Sequence, residues 1–151
     1  MTELNSVIVI DTTTLKVIKK IPIGSSPQGL SVSADNSKLW VANSGSTTHA
    51  VGVLDLETLT ALPSIPAPGR PYDVEEGLSH RLYVTITAYN GGIAQINVDT
   101  GEFGGYLSGY PTADGVSLQT SSDRKTLFVS TEQAYDLKKF TRTSGVTRSG
   151  S

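Results

Sequence analysis

A segment of about 43 residues occurs three times in this 151-residue chain, and this repeat limits the fold more than any other feature. Its first landmark is Leu, an aromatic residue and Val, following a polar turn. The copies are Leu39-Trp40-Val41, Leu82-Tyr83-Val84 and Leu127-Phe128-Val129. The spacings between them are 43 and 45 residues.

A second landmark keeps the same period. Asp11, Asp55 and Asn97 share one position, and each is followed three residues later by Thr. The spacings are 44 and 42 residues, and a related stretch begins again at 137–147. Asp, Asn, Ser and Thr favour tight turns because their side chains hydrogen-bond to the nearby backbone. The landmark therefore predicts a turn at the same point of every repeat.

A third landmark is a Gly and a Pro followed by an apolar strand, at 24–32, 69–75 and 109–118. Leu30, Val74 and Val116 align within it, again 44 and 42 residues apart. Because three separate landmarks keep one period, the chain is predicted to be a structural repeat and not a set of isolated hairpins.

Each repeat contains four strand-like runs, which in the first are 7–11, 16–23, 29–32 and 39–43. Four antiparallel strands every 40 to 45 residues are typical of a β-propeller blade. The predicted fold class is therefore all-β, with about three four-stranded blades plus the start of a fourth in an incomplete ring. Trp40, Tyr83 and Phe128 are expected to form a layer between adjacent blades.

We treat residues 1–151 as a single partial propeller domain, with repeats at approximately 5–49, 50–91 and 92–134 and the start of another at 135–147. Propellers typically have four to eight blades, so three cannot close a ring. Three explanations stay open: a fragment of a longer protein, self-association that completes the ring, or a larger complex that covers the open ends.

The repeat resembles the YVTN family of β-propeller repeats. The first copy matches best, from Ile21, Gly24, Pro27 and Gly29 through "KLWVAN" at 38–43, and "LYVTI" stands at 82–86. The second copy has Asp73 in place of the Gly after Pro, and the third has two extra residues after Pro111. The resemblance implies an exported or cell-surface parent protein. It also implies relatives that include lactonase-like hydrolases and propeller subunits of redox enzymes.

Composition excludes several kinds of site. The net charge is −2 and the pI about 5.6, so the basic surface that nucleic-acid binding requires is not expected. The chain has no cysteine, hence no disulfide or thiolate site. The amino terminus does not look like a signal peptide, and the longest apolar run is too short for membrane insertion.

Ligand sites in this kind of repeat are expected at the channel mouth, beside the strand that follows the Pro. The predicted ligand-binding residues there are Gln28, Arg70, Tyr72, Asp73 and Asp114. A converging pair of aspartates could bind a cation or act as acid and base. The alternative is that Asp73 and Asp114 only cap loops. We predict no catalytic residue, no metal site and no cofactor.

The residues therefore favour a binding or scaffold module over an enzyme, with a protein partner or self-association that completes the propeller. The alternative is a lactonase-like propeller hydrolase or a propeller subunit of a redox enzyme. Glu75 and Glu76 have no partner at a meaningful spacing and are expected to be exposed to solvent.

Overall fold

The computed structural model describes residues 5–45, 49–87, 91–111, 117–130, 137–143 and 146–150. The described part of the chain forms fourteen β-strands. They are β1 (Ser6–Asp11), β2 (Lys16–Pro22), β3 (Pro27–Val32), β4 (Lys38–Asn43), β5 (Ala50–Asp55), β6 (Thr60–Pro66), β7 (Pro71–Glu76), β8 (Arg81–Ile86), β9 (Gly92–Asn97), β10 (Phe103–Pro111), β11 (Ser117–Thr120), β12 (Thr126–Ser130), β13 (Leu137–Thr143) and β14 (Val146–Gly150).

Twelve of these strands form three antiparallel four-stranded sheets in which neighbours in sequence are neighbours in the sheet. We call β3–β6 the first blade, β7–β10 the second and β11–β14 the third. Strands β1 and β2 form a two-stranded sheet, which we call the half-blade. The chain is thus an all-β partial propeller, and the predicted fold class is confirmed.

The half-blade corresponds to the third and fourth strands of a complete blade. Asp11 ends β1 just as Asp55 ends β5 and Asn97 ends β9. The sequence repeats begin at this third strand, so the spatial sheets are offset from them by two strands. As a result the incomplete sheet is the one formed by β1 and β2, while β13 and β14 complete the third blade.

The Asp-x-x-Thr landmark is a turn closed by its own side chain, as predicted. Asp11 Oδ1 accepts the backbone N–H groups of Thr13 at 2.8 Å and Thr14 at 2.9 Å. Asp55 and Asn97 accept the equivalent two hydrogen bonds. The backbone donor of Thr14, followed by that of Thr13, lowers the pKa of Asp11. These turns give the half-blade, the first blade and the second blade the same hairpin between their two outer strands.

The core lies between sheets, in three layers. The buried side chains between the half-blade and the first blade are Val7, Ile21, Ile23, Val41 and Leu54. Those between the first and second blades are Trp40, Ala42, Val51, Val53, Val74, Leu82, Val84, Ile86, Ala94 and Ile96. Those between the second and third blades are Tyr83, Ile93, Leu107, Leu118, Leu127 and Val129. The interblade positions predicted for Trp40 and Tyr83 are confirmed, whereas Phe128 is only half-buried.

Strands β3, β7 and β11 are the inner strands, because β7 packs beside both β3 and β11. Pairing registers define equivalent positions along them. The pairs are Leu30–Val41, Val74–Val84 and Leu118–Val129. The third equivalent is therefore Leu118, two residues later than the Val116 of the sequence alignment. Val116 itself lies outside the described residues.

Candidate functional site

The inner strands carry a polar row along one face and a mainly apolar row along the other. On β7, Asp73 and Glu75 point toward the third blade, where they meet the backbone of Leu118 and the hydroxyl of Thr120. The alternate residues, Val74 and Glu76, point toward the first blade. Successive side chains of a strand point to opposite faces. A strand covered by a neighbouring blade on each side therefore buries both rows.

Asp73 bridges the inner strands of the second and third blades. Its Oδ2 accepts the backbone N–H of Leu118 at 2.8 Å, and its Oδ1 accepts that of Val74 at 2.9 Å. Burial raises the pKa of Asp73, while the donors of Leu118 and Val74 oppose the rise. On the other side, a Cβ at Gly29 would lie 2.7 Å from the Asp73 Cα, so the absence of a side chain there permits close approach. Both backbone donors lie in strands, β11 and β7, so the carboxylate of Asp73 links two inner strands rather than capping a loop.

Glu75 is 7% exposed, so the expectation that it is solvent-exposed was wrong. Its Oε2 accepts the hydroxyl of Thr120 at 3.0 Å. Burial raises its pKa to about 7; the negative charge of Asp73 adds to the rise, and the Thr120 hydroxyl and the charge of Arg124 oppose it. A carboxyl group that titrates near neutral pH is the kind of group that can exchange a proton with a ligand.

Glu76 is buried as well, which corrects the same expectation. It is 4% exposed and accepts two hydrogen bonds from the first blade. The donors are the Trp40 indole N–H at 2.9 Å and the Ala34 backbone N–H at 3.0 Å, both to Oε2. Glu76 thus ties the second blade to the aromatic core of the first.

Arg124 connects all three blades, and the sequence argument missed it. It lies in the turn between β11 and β12 with a φ of 59°, the position that Asn36 holds in the first repeat with a φ of 61°. Its guanidinium donates to the carbonyl oxygens of Glu76 at 2.8 Å and Val32 at 3.2 Å, with a longer contact to that of Ser33 at 3.5 Å. An arginine at a left-handed position that suits asparagine was the available signal.

An open cleft of about 450 Å³ lies among these inner strands. It is lined by Leu30, Ser31, Val32, Leu39, Glu75, Gln119, Thr120, Ser121, Ser122 and Arg124. The Ser31 hydroxyl is buried and has no hydrogen-bond partner among the described residues. The cleft therefore combines one titratable carboxyl group with hydroxyl donors and an apolar edge.

Of the five predicted ligand-binding residues, the four that the structure describes do not line this cleft, and Asp73 is the one that contacts a neighbouring inner strand through its side chain. Gln28 and Arg70 are exposed and Tyr72 is half-buried, and in the described part of the chain none of the three lines it. Asp114 lies outside the described residues. Their roles stay predictions. Within the described ranges, no three His, Cys, Asp or Glu side chains are grouped closely enough to hold a metal ion. The same residues include no helix that is long and apolar enough to cross a bilayer.

No protein-family model matches the sequence, and no match was found among the curated proteins. Among solved structures, the chain is similar to hydrazine synthase from Kuenenia stuttgartiensis, with a TM-score of 0.71 and 22% identity over 96% of this chain and 43% of that one. It is also similar to a gluconolactonase from Xanthomonas campestris, with a TM-score of 0.64 and 15% identity over 82% of this chain and 40% of that one. A candidate 6-phosphogluconolactonase from Bacteroides uniformis is a third similar structure, with a TM-score of 0.69 and 16% identity over 96% of this chain and 47% of that one. These similarities support the fold, and the chain spans less than half the length of each structure.

Proposed function

We propose that this chain is part of a larger β-propeller of YVTN-type repeats and acts as a binding or scaffold module. Its first partner is the polypeptide that supplies the two inner strands of the half-blade. The observation that carries the proposal is the exposure of Leu30 (50%) and Val32 (40%) on β3. Their equivalents on the second blade, Val74 and Glu76, are 0% and 4% exposed because the first blade covers them.

The half-blade explains why this apolar surface is open. It covers the outer part of the first blade through Val7 and Ile21, which pack on Val41 and Leu54. Strand β1 pairs only with β2 among the described strands, whereas its equivalents β5, β9 and β13 each pair on both sides. An unpaired edge beside an apolar face is a template for an added strand. A hairpin added to β1 would cover Leu30 and Val32.

A second copy of the chain does not fit this surface well. Each described inner strand of a copy, β3, β7 or β11, is already paired within its own blade. A copy could add an inner hairpin such as β3–β4 to β1 only by giving up pairs of its own, because β4, β8 and β12 are each paired on both sides. We therefore commit to a further propeller segment as the partner. The coverage of 40–47% of similar structures is in line with missing blades.

The partner can be imitated with the chain's own inner hairpin. We expect a synthetic peptide of residues 71–86, which spans β7 and β8, to bind saturably in a calorimetric titration. Fully burying a Leu or Val stabilises by roughly 1.5–3 kcal/mol, so covering these half-exposed side chains adds about 2 kcal/mol. The double change Leu30→Lys and Val32→Lys should then weaken binding about 30-fold or more.

Leu62→Lys is the matched control, because Leu62 is 37% exposed on the outer strand β6. Light scattering measures the mass of the chain before and after peptide is added. Equal peptide binding by the double variant and the Leu62→Lys control would contradict the proposal. A stable dimer that resists the peptide and dissociates in the double variant would point to self-association instead.

A second candidate function is lactone hydrolysis, which rests on the Glu75 carboxyl group at the cleft. Its pKa of about 7 suits an acid–base group, and two of the similar structures are described as lactonases. The test is gluconolactone hydrolysis by the assembled propeller. Glu75→Gln should abolish turnover, and Glu57→Gln at an exposed turn should leave it unchanged. Full turnover in Glu75→Gln would remove this candidate.

A further inference from the structure

A second cleft lies away from the inner strands, between the half-blade and the first blade. Its volume is about 370 Å³, within the range of small-molecule sites. The lining residues are Pro22, Ile23, Gly24, Ser25, Asn43, Ala50, Gly52, Ala61, Leu62 and Ser64. This lining has no charged side chain, and most of it is apolar.

Comparison with the next blade interface explains the space. Asn43 follows Leu39 by four residues, as Ile86 follows Leu82. Gly52 pairs with Val41 in the same way that Ala94 pairs with Val84. Ile86 and Ala94 are fully buried core residues between the first and second blades. At the half-blade, asparagine and glycine replace this apolar bulk, and a cleft is left.

Asn43 is held tightly in one orientation. Its Nδ2 donates to the carbonyl oxygen of Ile23 at 2.8 Å. Because a carbonyl only accepts hydrogen bonds, the nitrogen end of the amide must face Ile23. A Cβ at Gly24 or Gly52 would lie 2.6 or 2.8 Å from Nδ2, so both glycines make room for the amide. The amide oxygen, Oδ1, is then free to accept a hydrogen bond from a different donor.

That oxygen accepts no hydrogen bond from any residue that the structure describes. Asn43 is 4% exposed, and its Oδ1 is buried without a hydrogen bond. A buried acceptor without a donor is energetically costly, because it has lost its hydrogen bonds to water. A ligand that supplies one N–H or O–H donor would recover this cost, and an apolar body would cover Pro22, Ala61 and Leu62 in the cleft wall.

We propose that this cleft binds a neutral small molecule with a single N–H or O–H donor on an apolar ring, and that Asn43 Oδ1 accepts the donor. The site does not include Leu30 or Val32 on β3, because its walls come from β2, the segment that follows β2, β4, β5 and β6. The absence of charge in the lining favours a neutral ligand over an acid or an amine.

Indole and 1-methylindole are a matched pair of probes, since methylation removes the N–H donor and keeps the ring. Calorimetric titration of the full chain should give saturable indole binding at least about tenfold tighter than 1-methylindole binding, the effect of one buried hydrogen bond. In Asn43→Ile, which copies the second blade, the preference should vanish. Lys16→Ile, on an exposed strand position, is the control and should keep it.

Failure to bind indole saturably, or equal affinity for the two probes, would overturn the proposal. Equal affinity is also the result expected if only water satisfies Asn43. If circular dichroism shows that Asn43→Ile does not fold, Ser64→Leu decides the matter. Ser64 is exposed at the rim, so leucine there fills the cleft and leaves the amide in place. Unchanged indole binding in Ser64→Leu would also refute the site.

Discussion

Glu75→Gln is expected to stabilise the fold at mildly alkaline pH and to have little effect in acid. The glutamate pKa rises from 4.5 to about 7 on folding, so the folded state holds the proton more tightly. At acid pH the Glu75 side chain is protonated and uncharged in both the folded and the unfolded chain, so its burial carries no charge penalty. As the pH rises from about 4.5 through 7, the unfolded chain releases the proton first, and the free energy of unfolding falls.

The size of this loss follows from the shift. Each pKa unit corresponds to 1.36 kcal/mol, so a shift of this size costs up to roughly 3 kcal/mol once the pH exceeds about 8. Solvent in the cleft lowers that figure. Glutamine keeps an acceptor for the Thr120 hydroxyl and carries no charge. The variant should therefore lose little stability over the same pH interval.

Urea unfolding followed by the fluorescence of Trp40, the chain's single tryptophan, measures the effect at intervals between about pH 4.5 and 8.5. The exposed turn carboxylates Asp11 and Asp55 have lowered pKa values, so their contribution is lost only as the pH falls below their ordinary range. That loss lies outside this window. Equal pH slopes for Glu75→Gln and the parent chain would refute the assignment of the slope to this buried carboxyl group.

Two further substitutions test the contacts between blades. Arg124→Ala should lower the free energy of unfolding by about 1.5–3 kcal/mol, since it removes the charged donor from the carbonyls of Val32 and Glu76. Gly29→Ala should cost about 1–3 kcal/mol because the new Cβ would meet the Asp73 backbone. Both are measured by urea unfolding at about pH 6.

Each of these changes has a matched control in the chain. Arg124→Asn keeps a residue suited to the left-handed turn, as Asn36 does, so it separates the loss of the guanidinium from backbone strain. It should lose nearly as much stability as Arg124→Ala, and full recovery would contradict the role of the guanidinium. Gly104→Ala places a Cβ no closer than 3.6 Å to its nearest neighbour and should be almost neutral. A similar cost at Gly104 and Gly29 would rule out the close-approach argument.

The turns and interblade aromatic residues could be predicted because they depend on local chemistry that every repeat shares. Asp11 and Asp55 close their own turns, and Trp40 and Tyr83 each follow the equivalent leucine of their repeat. The buried state of Glu75 could not be predicted in this way. The alternation of side chains along a strand shows that the strand has two faces. It does not show that a neighbouring blade covers both faces, as happens at β7.

The predicted site residues also relied on the alignment of the third repeat, and the strand register of the structure differs from that alignment. Two extra residues after Pro111 move the third inner strand, so the register places Leu118 where the alignment expects Val116. Asp73 meets the backbone of Leu118 and the predicted role of Asp114 stays untested. Arg124 was missed because its partners are backbone carbonyls, which have no signature in sequence.

The reach of Arg124 has a consequence for how the blades unfold. In a linear array of repeats each unit contacts only its neighbours, so a terminal unit can fray while the rest stays folded. Arg124 joins the third blade to a carbonyl of the first blade as well as to one of the second. Opening of the third blade therefore breaks a contact of the first, and we expect hydrogen exchange to show the two blades losing protection together rather than in sequence.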